Sequence, residues 1–554
     1  MKLRRMRANF HGVAPTAGPV LFRACGSGPA PANRTLAMTD PRPMPIRRDD
    51  AVPVRLRPDL PTRAGVDADH PLARGLVEGS GPAISHLGDL AALLPEEARE
   101  IEIDSDATGP WMLAMLAALA ERRGVPTPEL RGALCNDPIA SAFGAAAPAW
   151  STGAAVDLAA DALSWSGRVF PGLCGARLQV AATGDLTTAM AMAMALRSAL
   201  ALLAATARRD KIPHLRAAAQ GIEFLLPGDT ARHRAAGSTL AALWRQLLEE
   251  RHGPGFARRD DLVAYRPATP RKKATAACDE PAPCAATLRA ALERIEAADA
   301  QGPVPARSRS RATDPARAAA RMAELARWRR ERDGNAVQKS LLALREAAKR
   351  GINVMGPSVA CAKAGVTTGE WAAAMAAALP AAEPRGLFGV KTATCLQPES
   401  AELMAVRDRL AQAARGFARP ITLLVAQPGL DARLAPALPL LGAARACGVE
   451  LRDPGPRALP NRIADAVLHD RPHALCFCLV SRQSAEMALD TLNVLDQAGF
   501  GTVPALGLAD FEIAPKFERQ LRERMTLRNT GDILVHDFLD DVASLVSLQR
   551  KASQ

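Results

Sequence analysis

Three runs in the last quarter of the chain, Ile421 to Ala426, Ala474 to Val480 and Val503 to Leu508, are almost entirely apolar. A strand with one wet face alternates; an unbroken apolar run is a strand buried on both faces. Helix-length segments lie between and after them, at Leu438 to Cys447, Ser484 to Ala498 and Asp532 to Leu548. Strands that alternate with helices are joined by crossovers and pair in parallel, so this part is expected to form an open, doubly wound, flavodoxin-like sheet.

The same alternation runs upstream, from Leu72 to His252. Glu100 to Asp104 alternates as a strand, and Pro110 to Arg123 is a helix stopped by Gly124. Arg131 to Asp137 reads as a strand and loop, Gly221 to Leu226 as a strand, and Ala231 to Arg251 as an amphipathic helix. Repeated βα units of this kind predict an α/β chain with a (β/α)8-type barrel. The expected organisation is an irregular extension over 1–65 and a shortened barrel over 66–260. A basic Pro/Ala-rich linker follows over 261–315, then a helical connecting region over 316–415 and the doubly wound domain over 416–554.

Composition removes several function classes. A chain of 554 residues with 48% hydrophobic content can fill its cores and is not disordered. The net charge of +12 sits largely in Arg271-Lys272-Lys273, in the run Arg307 to Arg311 and around Arg329. Without a zinc-finger or RNP-type signature, a solvated linker and helix face outweigh a nucleic-acid site. The ten cysteines form no CxxC pair, and Cys476 and Cys478 share one side of a strand. Buried thiols in a reducing bacterial cytoplasm fit this better than disulfides or a metal site.

The Ala/Leu-rich run Thr187 to Ala205 contains Arg197 and is soon followed by Arg208-Arg209-Asp210-Lys211. A buried barrel helix is expected there, not a membrane span. Residues 1–39 carry no acidic side chain. A start at Met38 or Met44 in place of Met1 is preferred over a targeting segment.

Three segments resemble the methylmalonyl-CoA mutase family. Arg131-Gly132-Ala133-Leu134-Cys135-Asn136-Asp137-Pro138 is similar to a barrel loop of that family. The second runs from Gly221-Ile222-Glu223-Phe224 to Leu243-Trp244. The third and most specific is Asn353-Val354-Met355-Gly356-Pro357 followed by Ala364-Gly365-Val366-Thr367-Thr368-Gly369-Glu370. With the C-terminal sheet, the resemblance covers about residues 70–260 and 320–510. It implies a barrel threaded by coenzyme A, a linker, and a cobalamin-binding-type domain capping the barrel mouth. Adenosylcobalamin supplies the radical chemistry in such proteins, and the protein orients the acyl-CoA.

Residue by residue, the chain departs from what the resemblance implies. The family's tyrosine beside substrate has no counterpart before Tyr265, placed near the linker, and Gln179 stands at or near its histidine. The span after Asn136-Asp137 reads Ser141-Ala142-Phe143-Gly144-Ala145-Ala146 and lacks the arginine that holds the substrate carboxylate, a contact worth ~1.5–3 kcal/mol. Arg232 and Arg234 are candidates for a coenzyme A phosphate, a solvent-facing basic helix end being at least as good a reading.

In the last domain, Gln427 replaces a lysine, Cys478 stands near a serine position, and Gly507 is what remains of a Gly-Gly pair. The cobalt-ligating motif Asp-x-His-x-x-Gly reads Asp431-Ala432-Arg433-Leu434-Ala435-Pro436. Imidazole has a lone pair for cobalt; guanidinium is permanently protonated and has none. Asp431 is then left to pair with Arg433. His469 and His473 are placed on the surface and are not ligands.

No catalytic residue is therefore assigned. The expectation is a non-catalytic subunit of a heterodimer, whose catalytic partner turns (R)-methylmalonyl-CoA into succinyl-CoA, with neither nucleic acid nor membrane as partner. The alternatives are a divergent active acyl-CoA mutase holding cobalamin base-on, and an orphan acyl-CoA-binding scaffold.

Overall fold

The computed structural model describes residues 53–552 apart from 144–145, 147, 181–187, 210–211, 229, 257–262, 266–281, 298–312, 383–400, 416, 418 and 431–436. Seven strands form the first layer: β1 (Val54–Leu56), β2 (Glu100–Asp104), β3 (Arg131–Cys135), β4 (Gly172–Cys174), β5 (Ala176–Gln179), β6 (Ile222–Leu226) and β7 (Val263–Tyr265). All neighbours are parallel, in two sheets ordered β1-β2-β3-β4 and β5-β6-β7.

β4 and β5 are one strand that changes partner at Gly175, from β3 to β6. A Cβ there would lie 2.2 Å from Ser166 Oγ, so the jog needs glycine. The strands thus trace six positions of a barrel wall, with no ladder between β7 and β1 among the described residues. The Glu100 to Asp104 strand and the helix Gly109–Arg122 fall where the periodicity predicts them. Tyr265, expected near the linker, ends β7, paired with Leu226.

Ile101, Ile103, Leu134 and Leu173 point outward into one apolar core, with Trp111 stacked on Trp371 at 5.8 Å. Leu178, Ile222 and Phe224 point into a second, with Trp244 set edge-on to Phe224. Thr188–Arg209, the one helix among the described residues that is long and apolar enough to cross a bilayer, lies mostly buried in this second core. The segment expected as a linker contains a helix, Ala285–Ala297, which buries Leu288, Ala291, Leu292 and Ile295 there. That i, i+3, i+4, i+7 spacing is an amphipathic stripe partly masked by alanine.

Five helices follow among the described residues: Pro315–Glu331, Gly334–Lys349, Met355–Ala364, Thr368–Ala378 and Ala401–Ala414. The arginines around Arg329 are not simply solvated. Arg329 pairs with Asp67 at 2.7 Å and with Asp69 at 2.5 Å, and Arg332 grips Glu370 with two nitrogens.

The last layer is a five-stranded parallel sheet of β8 (Thr422–Ala426), β9 (Glu450–Arg452), β10 (Ala474–Leu479), β11 (Ala505–Ala509) and β12 (Thr526–Asn529), in the order β12-β11-β10-β8-β9. The three apolar runs are its three central strands. The short edge strands β9 and β12 carry Glu450, Arg452, Arg528 and Asn529, and this polarity hides them from a hydrophobic pattern. Alternate residues of β8 feed two cores, Leu423 and Val425 on one face and Leu424 and Ala426 on the other. The chain leaves β8 for β9 on one side and returns to β10 on the other. This is the topological switch at whose carboxyl edge doubly wound sheets hold ligands.

Candidate functional site

The inner face of the first layer is polar. Because outward positions are apolar, strand alternation turns Arg55, Glu102, Arg177 and Glu223 inward. Arg177 Nε donates to Glu223 Oε2 on β6 at 2.7 Å. Its Nη1 reaches over β3 to Glu102 Oε1 on β2 at 2.5 Å. Arg55 Nε stands 2.9 Å from the other oxygen of Glu102. Only 3% of the Arg177 side chain and 4% of the Glu223 side chain are exposed. Burial opposes the charge on Arg177, but Glu223, Cys174 and Glu102 outweigh it and hold its pKa above the ordinary value.

At the carboxyl ends of β2 and β3 stands a guanidinium absent from the expected span. Arg63, 4% exposed, comes from the helix Leu60–Arg63, donates Nε to Pro58 O at 3.0 Å and pairs with Asp106. Asp106 has φ +48°, a strained conformation for a non-glycine residue in a βα loop. Ser141 Oγ donates to its other oxygen at 3.4 Å. Asp137 beside it accepts from Ser198 Oγ at 2.8 Å and from Ala140 N at 3.0 Å, and burial pushes its carboxyl up.

Asn136, Gln179, Arg232 and Arg234, the residues that the family resemblance offers for substrate binding, stand at or after the carboxyl ends of β3, β5 and β6. Asn136 follows β3, is 2% exposed, and packs under the helix start, where a Cβ on Gly109 would lie 2.6 Å from its Cγ. Its Nδ2 is buried without a hydrogen-bond partner. Gln179 is the half-buried last residue of β5. Arg232 and Arg234 sit in the first turn of Ala231–His252, after β6; Arg232 is half-buried and Arg234 exposed. Thr230 caps that helix, its Oγ1 accepting from His233 N at 3.4 Å.

The second group lies at the carboxyl edge of β8 and β10. Gln427 follows β8 directly, is 1% exposed, and has no hydrogen-bond partner for either amide atom. Cys478 lies in the core face that holds Val425 and Cys476; its contact with Cys476 and its burial push the thiol well up. Gly507 faces the other way, where a Cβ would meet Met525 Sδ at 2.7 Å. The sheet therefore separates Cys478 from Gly507. Asp431, Arg433 and Pro436 lie outside the described residues.

This edge is packed against the chain's own early segment. Gln483 Nε2 donates to Leu72 O at 2.8 Å and Arg74 O at 2.9 Å, while its Oε1 accepts from Leu430 N at 3.2 Å. Arg457, at φ +58°, donates to Ala64 O at 3.1 Å, and burial lowers its pKa to about 10. Leu60, Ala64, Val66 and Leu72 share a core with Leu430 and Met487.

Among the described residues at this edge and along β10, His70 and His473 do not supply an imidazole for a corrinoid's cobalt. His70, beside Arg457, accepts from Leu72 N at 3.1 Å through Nδ1. Its neutral ring then carries the proton on Nε2 and offers cobalt no lone pair. His473 is buried at 2%, not on the surface, and its Nδ1 accepts from Thr422 N at the opposite end of β10. His469 is exposed at the end of the helix Pro460–Asp470. Among the described residues no group of three His, Cys, Asp or Glu side chains could hold a metal.

The chain is thus an α/β protein with a parallel, barrel-like wall of polar inner face, followed by a five-stranded parallel sheet whose carboxyl edge packs on residues 60–77. A sequence model described as methylmalonyl-CoA mutase matches residues 52–258 and 304–380, more than half of the chain, and the chain belongs to that cobalamin-dependent family. It is 26% identical to ethylmalonyl-CoA mutase of Cereibacter sphaeroides, over 80% of this chain and 85% of that protein. It is 24% identical to ethylmalonyl-CoA mutase of Methylorubrum extorquens, over 81% and 82%. A shorter stretch, 14% of this chain and 15% of the other, is 37% identical to the 2-hydroxyisobutanoyl-CoA mutase large subunit of Aquincola tertiaricarbonis.

Arg63, the Arg177 ion cluster, Arg457 and Gln483 escape a sequence reading. Each acts through a partner far away in the chain, and none belongs to a local motif. The one available signal was charge at inward positions of β2, β5 and β6, where a wholly apolar core would have none.

Proposed function

We propose that this chain is a non-catalytic acyl-CoA mutase subunit. It supports a catalytic partner in the adenosylcobalamin-dependent isomerisation of (R)-methylmalonyl-CoA to succinyl-CoA, or of the ethylmalonyl homologue that its long relatives are named for. In this reading residues 66–260 are the acyl-CoA barrel and 416–554 a flavodoxin-like, cobalamin-binding-type domain that has lost its ligand. The complex works in the bacterial cytoplasm.

One observation carries the reading. The cobalt-ligand position holds Arg433, and neither His70 nor His473 can replace the imidazole. The barrel's changes agree with it. Gln179 replaces a histidine, and Arg63 is already paired with Asp106 and so presents no free guanidinium to a substrate carboxylate.

The matches to ethylmalonyl-CoA mutases over four-fifths of the chain favour a second reading, a divergent active mutase that holds cobalamin base-on. An orphan acyl-CoA-binding scaffold is the third. Purified chain with adenosylcobalamin and either thioester separates them. No turnover alone, with a stable heterodimer on co-expression with a homologue bearing Asp-x-His-x-x-Gly, supports the subunit. Turnover by the chain alone sinks it, and a monomer that leaves the homologue unbound favours the scaffold.

A further inference from the structure

We infer that the Arg177–Glu223–Glu102 ion cluster is a plug that closes the barrel interior to any linear ligand, so that an acyl-CoA is restricted to the carboxyl-end mouth. The inference rests on the acyl-CoA reading for the name of that ligand, and on geometry for the closure. Arg177 ties β5 to β6 at 2.7 Å and to β2 at 2.5 Å, spanning the inside of the wall. Arg177, Glu223 and Glu102 are 3%, 4% and 14% exposed, so little solvent reaches these three side chains.

Apolar side chains would fill the same space without the desolvation of three charges, so a core-filling role alone does not account for the cluster. Its charge-assisted bonds have fixed directions, and a neutral thioester arm entering between them would leave all three charges buried and unpaired. Arg55 extends the cluster to β1, where its side chain is 55% exposed, which sets the solvent boundary on that side. Above the plug the mouth is left with Gln179 and the Arg63–Asp106 pair.

Cys174 reports on the closure. Its thiol donates to Gly221 O at 3.1 Å and lies close enough to Arg177 to bear on its charge. The probe is the pyridyl disulfide of pantetheine, applied to the full-length native protein and read by peptide mass spectrometry, with exposed Cys284 as the positive control. The wild type is expected to be modified at Cys284 and at least tenfold more slowly at Cys174. The triple variant Glu102→Ser, Arg177→Ser, Glu223→Ser is expected to react at Cys174 at least tenfold faster than wild type.

Arg177→Lys, which keeps the charge and loses the two-way reach, serves if the triple variant does not fold, and is expected to accelerate Cys174 in the same direction. Rapid modification of Cys174 in the wild type, or no acceleration in a folded variant, overturns the plug. Binding of coenzyme A thioesters, measured separately by calorimetry, tests the acyl-CoA reading; its failure leaves the Cys174 result standing.

Discussion

The hydroxyl of Thr367 donates to the carboxylate of Asp67 at 2.6 Å, across 300 residues of sequence. Gly369 N donates to the other oxygen of Asp67 at 2.8 Å, and Arg329 pairs with the first at 2.7 Å. Around them Thr367 and Glu370 form a reciprocal capping box, Thr368 Oγ1 donates to Ile84 O, and Trp111 Nε1 donates to Thr368 Oγ1. The most specific family-like segment is thus used up as a clamp between the barrel cover and the helical region.

Asp67→Ala should therefore cost about 3–5 kcal/mol of stability, because it leaves Arg329 short of a partner and strands the Thr367 hydroxyl in a buried site. Urea denaturation followed by tryptophan fluorescence reads this through Trp111 and Trp371. A loss under 1 kcal/mol would mean that the clamp is incidental.

His86 gives a pH dependence of known sign. Its Nδ1 caps the helix Leu87–Leu93 by accepting from Asp89 N at 3.2 Å, and its ring stacks on Trp328 at 4.1 Å. Burial, with Arg321, Arg327 and Arg332 nearby, lowers its pKa to about 4. A depressed folded pKa means stability that is present above the unfolded value near 6.5 and lost as pH falls toward 4. His86→Asn keeps a cap that does not titrate. The stability advantage of wild type over this variant should shrink by about 2 kcal/mol between pH 7 and pH 4.5, measured from urea midpoints. A gap independent of pH would contradict the neutral cap.

Gln483 holds two carbonyls and one amide between the last sheet and the early segment. Gln483→Ala should cost about 1–3 kcal/mol and expose the Leu430 amide, whose acceptor is the Gln483 side chain. Native-state hydrogen exchange should show faster exchange at Leu430 with little change at Val425 in the strand core. Unchanged protection at Leu430 would contradict this contact.

Long apolar periodicity made the three central strands of the last sheet legible, as well as the helices Gly109–Arg122 and Ala231–His252. The edge strands β9 and β12 were not, because short, charged edges carry no hydrophobic signal. The jog at Gly175 and the wall strand ending at Tyr265 depend on pairing, which only the fold supplies. At the sites, Gln179, Asn136, Arg232 and Arg234 were singled out through the family resemblance, and the structure sets them at or after the carboxyl ends of β5, β3 and β6. Cys478 and Gly507 could not be separated from sequence alone, since a strand pattern gives alternation within one strand but not the register between two. Arg63 was invisible because it enters the mouth from another element.

In the subunit reading, no protein imidazole reaches cobalt in this chain. Electron paramagnetic resonance of the reduced cob(II)alamin form, incubated with uniformly nitrogen-15-labelled protein, tests it most directly. The account predicts either no bound corrinoid or a nitrogen-14 triplet splitting from the cofactor's own base, unaltered by the label. A nitrogen-15 doublet, arising from a ligand nitrogen of the protein, would contradict it.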